Sequence, residues 1–165
     1  MDDVPDENDP DNSAVNICVG CGLCCDGTIF TEVTLVDVDE QPPLIAVRAE
    51  ITQRRDQFFL GQPCAASTPA GCSIYEERPA LCRTYKCDLL RRRDIGEITT
   101  SAAATIVVAT TTQRDIVMAR LRPLLPVGKP VGFAELIALD EFTTPGDVVE
   151  DVALLREMLR EFTGT

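Results

Sequence analysis

The sequence predicts an α+β fold, in which a small, irregular, cysteine-rich part with short strands precedes a helical C-terminal region. Three observations lead to this prediction. All eight cysteines lie between residues 18 and 87. Residues 28–38 alternate and are rich in β-branched side chains, as is typical of a strand. Beyond residue 97, apolar residues recur at helical spacing.

The first segment of the chain is strongly acidic. Residues 1–12 carry six Asp or Glu side chains and no basic one, which is half of the formal net charge of −12. Such a composition buries too little apolar surface to fold, so we expect a disordered acidic arm over residues 1–13. The acidic balance also argues against nucleic acid as a partner, because phosphate binding depends on clusters of Lys and Arg.

The chain shows no signal-peptide pattern and no run approaching the ~18 apolar residues that a membrane span needs. We therefore expect a cytoplasmic protein without a membrane partner. The reducing cytoplasm disfavours structural disulfides and favours thiolates that bind metal.

The cysteine-rich part is predicted to span residues 14–96. Residues 14–27 hold four cysteines among three glycines, which suits a tight loop around a ligand. We expect a strand near residues 29–36, a turn at 37–43, a strand or short helix at 44–51, and a strand at 57–60 closed by Gly61. A short strand is expected at 72–75. Pro79 then starts a helix over 80–90, which would place Cys82 and Cys87 about a turn and a half apart.

Residues 97–165 are predicted to form a helical region that packs on the cysteine-rich part. A long helix is expected over 98–122, followed by a Pro- and Gly-containing linker at 126–130 and helices at 133–139 and 148–162. The last helix has an apolar stripe formed by Val149, Val152, Leu155, Met158, Leu159 and Phe162. Such a stripe normally packs on a core, and these helices also offer a surface to a protein partner.

The cysteines are the candidate ligands of a metal centre. In sequence order they form two sets of four: Cys18, Cys21, Cys24 and Cys25, and then Cys64, Cys72, Cys82 and Cys87. A CxxC loop lets two sulfurs converge on one centre, and the first set contains two such gaps in series. This pattern favours metal or cluster ligation, with disulfides and buried or redox-active thiols as the alternatives.

The spacing leaves the identity of the metal open. The chain has no histidine, which excludes Cys/His zinc sites, His-ligated haem and His-dependent catalysis. Three cysteines fit the ferredoxin run CxxCxxCxxxC, but Thr28 occupies the fourth position. An iron-sulfur cluster such as [4Fe–4S] would need a ligand from the second set, whereas zinc can use any four sulfurs, and eight ligands allow two centres. Because adjacent side chains point apart, either one of Cys24 and Cys25 is a ligand or each faces a different centre.

Two arginines are candidates for offsetting the charge of such a site. Four thiolates around zinc or an oxidised four-iron cluster give a formal charge near −2, whose burial needs cations or N–H donors. Arg78 and Arg83 lie on either side of Pro79 and Cys82. They are placed to donate to sulfur, although two solvated helix arginines are the equal alternative.

Three separated pieces of sequence occur in a characteristic order: CVGCGLCC at residues 18–25, PC at 63–64 and CSIYEERPALCR at 72–83. Together they resemble the bacterial cysteine-cluster family of zinc- or iron-chelating domains (CxxCxxCC, or YkgJ, type). The resemblance implies metal or iron-sulfur binding by the cysteines and roles for Tyr75, Arg78, Pro79 and Arg83 in framing the site. Some relatives, the flagellin lysine N-methylases, look like cluster-containing methyl-transfer proteins.

Three hypotheses for the function follow. The first is a metal-binding module that holds iron or zinc. The second is a metal- or cluster-dependent enzyme acting on a protein side chain, which needs an open coordination position beside a pocket. The third is a disulfide-stabilised interaction domain, which would bring pairs of cysteines to bonding distance.

Overall fold

The computed structural model of the protein describes residues 17–124 and 145–164. The predicted acidic arm at 1–13, the linker at 126–130 and the helix at 133–139 lie outside these residues. The predicted α+β fold is confirmed: short antiparallel strands occupy the N-terminal part, and the longest helices are C-terminal. None of the described helices has both the length and the apolar character needed to cross a membrane.

The helices are α1 (Ile17–Cys21), α2 (Gln41–Ala46), α3 (Ala80–Thr84), α4 (Asp88–Asp94), α5 (Thr100–Leu121) and α6 (Gly146–Thr163). The strands are β1 (Glu32–Leu35), β2 (Ile51–Arg54), β3 (Gln57–Gly61), β4 (Ser67–Thr68) and β5 (Gly71–Cys72). Short 3-10 turns occur at Val38–Glu40, Tyr75–Glu77 and Arg122–Leu124.

A three-stranded antiparallel sheet in the order β1-β3-β2 forms the first layer of the cysteine-rich part. Leu60 of β3 lies between Val33 of β1 and Ile51 of β2 in the register. Its side chain packs with Leu35 and with Leu44 of α2 to form a small buried core. The strand predicted at 57–60 is confirmed and includes Gly61, and β1 covers the second half of the strand predicted at 29–36. Residues 44–51 combine both predicted alternatives, since they contain the end of α2 and the start of β2.

The turn predicted at residues 37–43 is wrong in its second half, because α2 begins at Gln41. Pro42 and Pro43 occupy the first turn of this helix, where a missing N–H costs nothing. The strand predicted at 72–75 is also shorter than expected. It ends at Cys72, and a 3-10 turn begins at Tyr75.

The single helix predicted over residues 80–90 is wrong. Helix α3 ends at Thr84, Tyr85 has an extended backbone (φ −67°, ψ 131°), and Cys87 caps the start of a separate helix, α4. The Tyr85 ring packs edge-on against Phe30, with ring centroids 4.9 Å apart. This long-range contact, which no local pattern shows, accompanies the break between the two helices.

Helices α5 and α6 pack against each other and form the main core. Both were predicted, and both are confirmed. The buried positions of α5 recur every three or four residues: Ala103, Val107, Thr110, Gln113, Val117 and Leu121. Thr99 caps the helix by accepting a hydrogen bond from Ala102 N–H (3.1 Å). Gln113 Nε2 donates to the Asp151 carbonyl of α6 (3.1 Å), so its buried amide is satisfied.

The core between α5 and α6 also contains residues from the cysteine-rich part. Ile17, Leu23 and Leu89 belong to the same buried cluster as the residues of these two helices. Arg114 of α5 forms an ion pair with Asp26, in the loop after α1. The C-terminal helices therefore lie directly against the first cysteine segment, while the domain boundary between residues 96 and 97 stays a prediction.

Candidate metal centre

The first cysteine segment is shaped by a one-turn helix and a tight turn. Cys18 and Cys21 are three residues apart on α1, so their side chains share a face. Gly22 has the left-handed φ of 67° that ends the helix. Its carbonyl accepts the N–H of Cys25 (2.9 Å) and of Asp26 (3.0 Å), which closes the chain around Cys24. Leu23, fully buried, anchors this turn in the main core.

The residue at the fourth ferredoxin position lies in the next turn. Thr28 is buried, and its N–H donates to Asp26 Oδ1 (2.8 Å). Through this hydrogen bond Thr28 stabilises the local turn of the loop.

The second cysteine segment is joined to the first by a backbone hydrogen bond. Cys64 N–H donates to the Cys25 carbonyl (2.7 Å). Ser67 N–H then donates to the Cys64 carbonyl (2.9 Å), and Ser67 pairs with Cys72 in the β4–β5 hairpin. The backbone thus brings Cys25, Cys64 and Cys72 into one neighbourhood.

Gly71 provides a second junction between the two segments. Its φ of +112° is one that L side chains rarely adopt, and a Cβ there would lie 2.8 Å from Cγ1 of Val19 on α1. The hairpin therefore approaches α1 at a point where only glycine fits.

The last two cysteines come from different helices. Cys82 lies in α3, and Cys87 is the N-cap residue of α4. Cys87 packs against the main core together with Cys21. Cys64, by contrast, packs against the small core of the sheet.

All eight cysteines line one cavity of about 450 Å³. All eight thiols are free, with Cys18 exposed and the other seven partly buried. The thiols surround the cavity without yet converging: within residues 17–124 and 145–164, no three Cys, Asp or Glu groups are arranged to hold one ion.

Burial dominates the acid–base properties of the thiols. It raises the pKa of Cys21 and of Cys25 to about 11 and that of Cys82 to about 12, and it raises the pKa of Cys24 further still. Without metal, these thiols are therefore protonated at neutral pH. Metal binding must displace their protons.

Repulsion between neighbouring thiolates is a further cause of the shifts. Besides burial, charge on Cys87 raises the pKa of three residues: Cys18, Cys21 and Cys24. Besides burial, charge on Cys64 and Cys72 raises the pKa of Cys25 and Cys82. The pKa of each of these thiols therefore depends on the charge of a few neighbouring cysteines.

Backbone N–H groups favour the thiolate form at three of the cysteines. They partly offset the effect of burial on the pKa of Cys21 (from Leu23), Cys64 (from Ala66 and Ser67) and Cys87 (from Leu89 and Leu90). N–H groups that point at sulfur are the usual second shell of a thiolate-bound metal.

Tyr75 and Arg78, for which the resemblance implies roles in framing the site, lie in the cavity wall. The Arg78 guanidinium stacks over the Tyr75 ring (3.5 Å from carbon to centroid), and its Nε donates to the Tyr75 carbonyl (2.7 Å). Its charge lowers the pKa of Cys18, Cys25 and Cys82 against the larger effect of burial. Pro79 is buried in the same wall, whereas Arg83 is exposed and lies outside the described lining.

Two further arginines near the thiols escaped the sequence analysis. Arg93 of α4 partly offsets the effect of burial on the pKa of Cys18, and Arg114 of α5 does so for Cys21. Arg114 lies far along the chain in a helix with no cysteine, so no local spacing relates it to the site. Its pairing with Asp26 is visible only in the folded chain.

The fold and the cavity define a cysteine-rich α+β protein whose eight thiols surround one cavity. A family model described as "CxxCxxCC: Putative zinc- or iron-chelating domain" matches residues 17–105. The match spans more than half of the chain, so the protein belongs to this family and the predicted resemblance is confirmed. Neither the curated proteins nor the solved structures gave a match.

The donor set suits zinc or iron held by sulfur. The chain offers eight thiols and no histidine. Soft thiolate ligands select zinc and iron-sulfur clusters among the common metal centres. The N–H groups and arginines around the cavity supply what a negatively charged thiolate site needs when it is buried.

Proposed function

We propose that the protein is a metal-binding module whose cysteines hold zinc or iron as thiolates, the iron as an iron-sulfur cluster. One observation carries this proposal: all eight cysteines line a single cavity although they come from three separated segments of the chain. The proposed ligands are Cys18, Cys21, Cys24, Cys25, Cys64, Cys72, Cys82 and Cys87.

The remaining walls of the cavity support a metal site. Phe30, Leu60 and Leu89 line it beside the thiols and add apolar surface to its walls. Arg78, Arg93 and Arg114 place positive charge where thiolates form. When bound, zinc would cross-link the segments, and a cluster would also carry electrons. A reducing compartment such as the cytoplasm keeps the thiols free for this role.

Purification of the full chain without air tests the proposal. Zinc, iron and acid-labile sulfide are measured on the same sample as the absorption spectrum. A brown protein with iron and sulfide identifies the cluster, and a colourless protein with zinc identifies the zinc form. Metal-free protein with free thiols would contradict the proposal.

A pair of neighbouring variants provides the control. Cys72→Ser should lower the metal content, because it removes a proposed ligand. Ser73→Ala alters an exposed residue beside it and should leave the metal content unchanged. Equal metal content in the two variants would count against the ligand assignment.

A second candidate function is a metal-dependent enzyme acting on a protein side chain. The observation in its favour is that the cavity lining extends beyond the thiols to apolar side chains and Tyr85. Such an enzyme needs an exchangeable position on the metal. A cysteine that stays reactive while metal is bound, together with binding of a methyl donor in equilibrium dialysis, would favour the enzyme.

A further inference from the structure

We propose that the cavity contains two separate four-thiolate centres, and that their ligands are not the two sets that follow each other in the sequence. The first centre consists of Cys18, Cys21, Cys24 and Cys87. The second consists of Cys25, Cys64, Cys72 and Cys82. This inference rests on the proposed function and specifies how the ligands are divided.

The first group is held against the main core. Cys18 and Cys21 share a face of α1, and the turn at Gly22 brings Cys24 behind them. Cys21 and Cys87 both pack on the buried cluster that contains Ile17, Leu23 and Leu89. Cys87, the last cysteine in the sequence, is therefore held against the same core as Cys21.

The second group is held against the small core of the sheet. Cys64 packs on that core and donates its N–H to the Cys25 carbonyl (2.7 Å). The hairpin places Cys72 opposite Ser67, whose N–H bonds the Cys64 carbonyl.

Helix α3, which carries Cys82, is fixed on the same side. It packs against β1, and Ala80 N–H at its start donates to Glu40 Oε1 (2.7 Å). Glu40 directly precedes α2, which contributes Leu44 to the small core. The two helices that carry Cys82 and Cys87 are thus attached to different cores.

Pairs of substitutions in the full chain, purified without air, separate the two ways of dividing the ligands. Cys18→Ser with Cys87→Ser removes two ligands of the proposed first centre and should leave about half of the metal and four protected thiols. Cys82→Ser with Cys87→Ser removes one ligand from each centre and should abolish most of the metal. A division by sequence order predicts the reverse, because Cys82 and Cys87 then belong together.

A measurement on the unaltered chain avoids any effect of the substitutions on folding. The metal-free protein receives one equivalent of zinc, exposed thiols are alkylated, and the labelled species are separated by mass and fragmented. The inference predicts a species with four labels, which occupy one proposed group or the other. Labels mixed between the groups, or a single centre that protects only four thiols at saturation, would overturn it. A chain that binds no zinc here and that also carries no iron when it is purified without air would instead contradict the proposed function.

Discussion

Replacing Gly71 by Ala tests the contact that joins the two cysteine segments. The φ of +112° at this position strains any residue with a side chain, at a cost of about 1–3 kcal/mol. The new Cβ would also lie 2.8 Å from Val19 Cγ1, so the valine must move. Val19 is 37% exposed and has room to yield, which puts this crowding at about 1 kcal/mol, the lower end of the usual range. We expect a total loss of about 2–4 kcal/mol of unfolding free energy.

Thermal unfolding of the metal-loaded chain measures this loss. A domain of this size loses roughly 2–4 °C of melting temperature per kcal/mol, so Gly71→Ala should melt roughly 4–16 °C lower. Gly20→Ala is the matched control, because a Cβ there has no atom within 4 Å and should leave the melting temperature nearly unchanged. Val19→Ala combined with Gly71→Ala should recover only the part of the lost stability that comes from the contact between the new Cβ and Val19. Full recovery, or no loss in the single variant, would refute this account of the junction.

Three further predictions concern the core, the charge and the protons of the site. Leu23→Ala should lower the unfolding free energy in urea by about 2–5 kcal/mol, because it empties a fully buried position; the exposed Leu154→Ala should change it by less than about 0.5 kcal/mol, and equal effects would contradict the assigned core. Arg78→Gln should weaken zinc binding by about 10–100-fold in a chelator competition. Arg83→Gln, at an exposed position outside the cavity lining, should not weaken it. A larger loss of zinc affinity in Arg83→Gln than in Arg78→Gln would contradict the role given to Arg78. Because burial raises the thiol pKa values, zinc binding should release up to about four protons per ion and should strengthen as pH rises. Calorimetry in buffers of different ionisation heat counts these protons. A count near zero would show that the thiolates are already formed before zinc binds.

Periodic elements were the part of the fold that the sequence could predict. Strand β3 and helix α6 have hydrophobic patterns that are local in the chain, and each formed where that pattern placed it. Helix α5 also formed over the predicted range, although two of its buried residues, Thr110 and Gln113, are polar. Gly61 and Pro123 mark the ends of β3 and α5 closely, because glycine and proline act on the backbone of their own neighbourhood.

The break between α3 and α4 depended on information that is not local. Residues 80–90 have an acceptable helical composition, but Tyr85, whose ring packs on Phe30, has an extended backbone, and Cys87 is the N-cap residue of a second helix. The contact with Phe30, which is distant in the sequence, accompanies the break. Local propensity is a weak guide where tertiary contacts compete with it.

The candidate site was predictable in its members but not in its arrangement. The CxxC spacing and the absence of histidine single out the cysteines, and all of them do line the cavity. Spacing alone does not reveal that Cys87 packs against the same core as Cys21 or that the backbones of Cys25 and Cys64 are hydrogen-bonded. Arg114 likewise pairs with Asp26, beside the first cysteines, because α5 packs against the first segment.

Metal binding by the eight cysteines is tested most directly by counting the thiols that a bound metal protects from reaction. The full chain is purified without air and treated with a thiol reagent, before and after a strong chelator removes the metal. If all eight cysteines are ligands, we expect that none of them reacts while the metal is bound and that all eight react after its removal. Eight reactive thiols in the metal-loaded protein would contradict it.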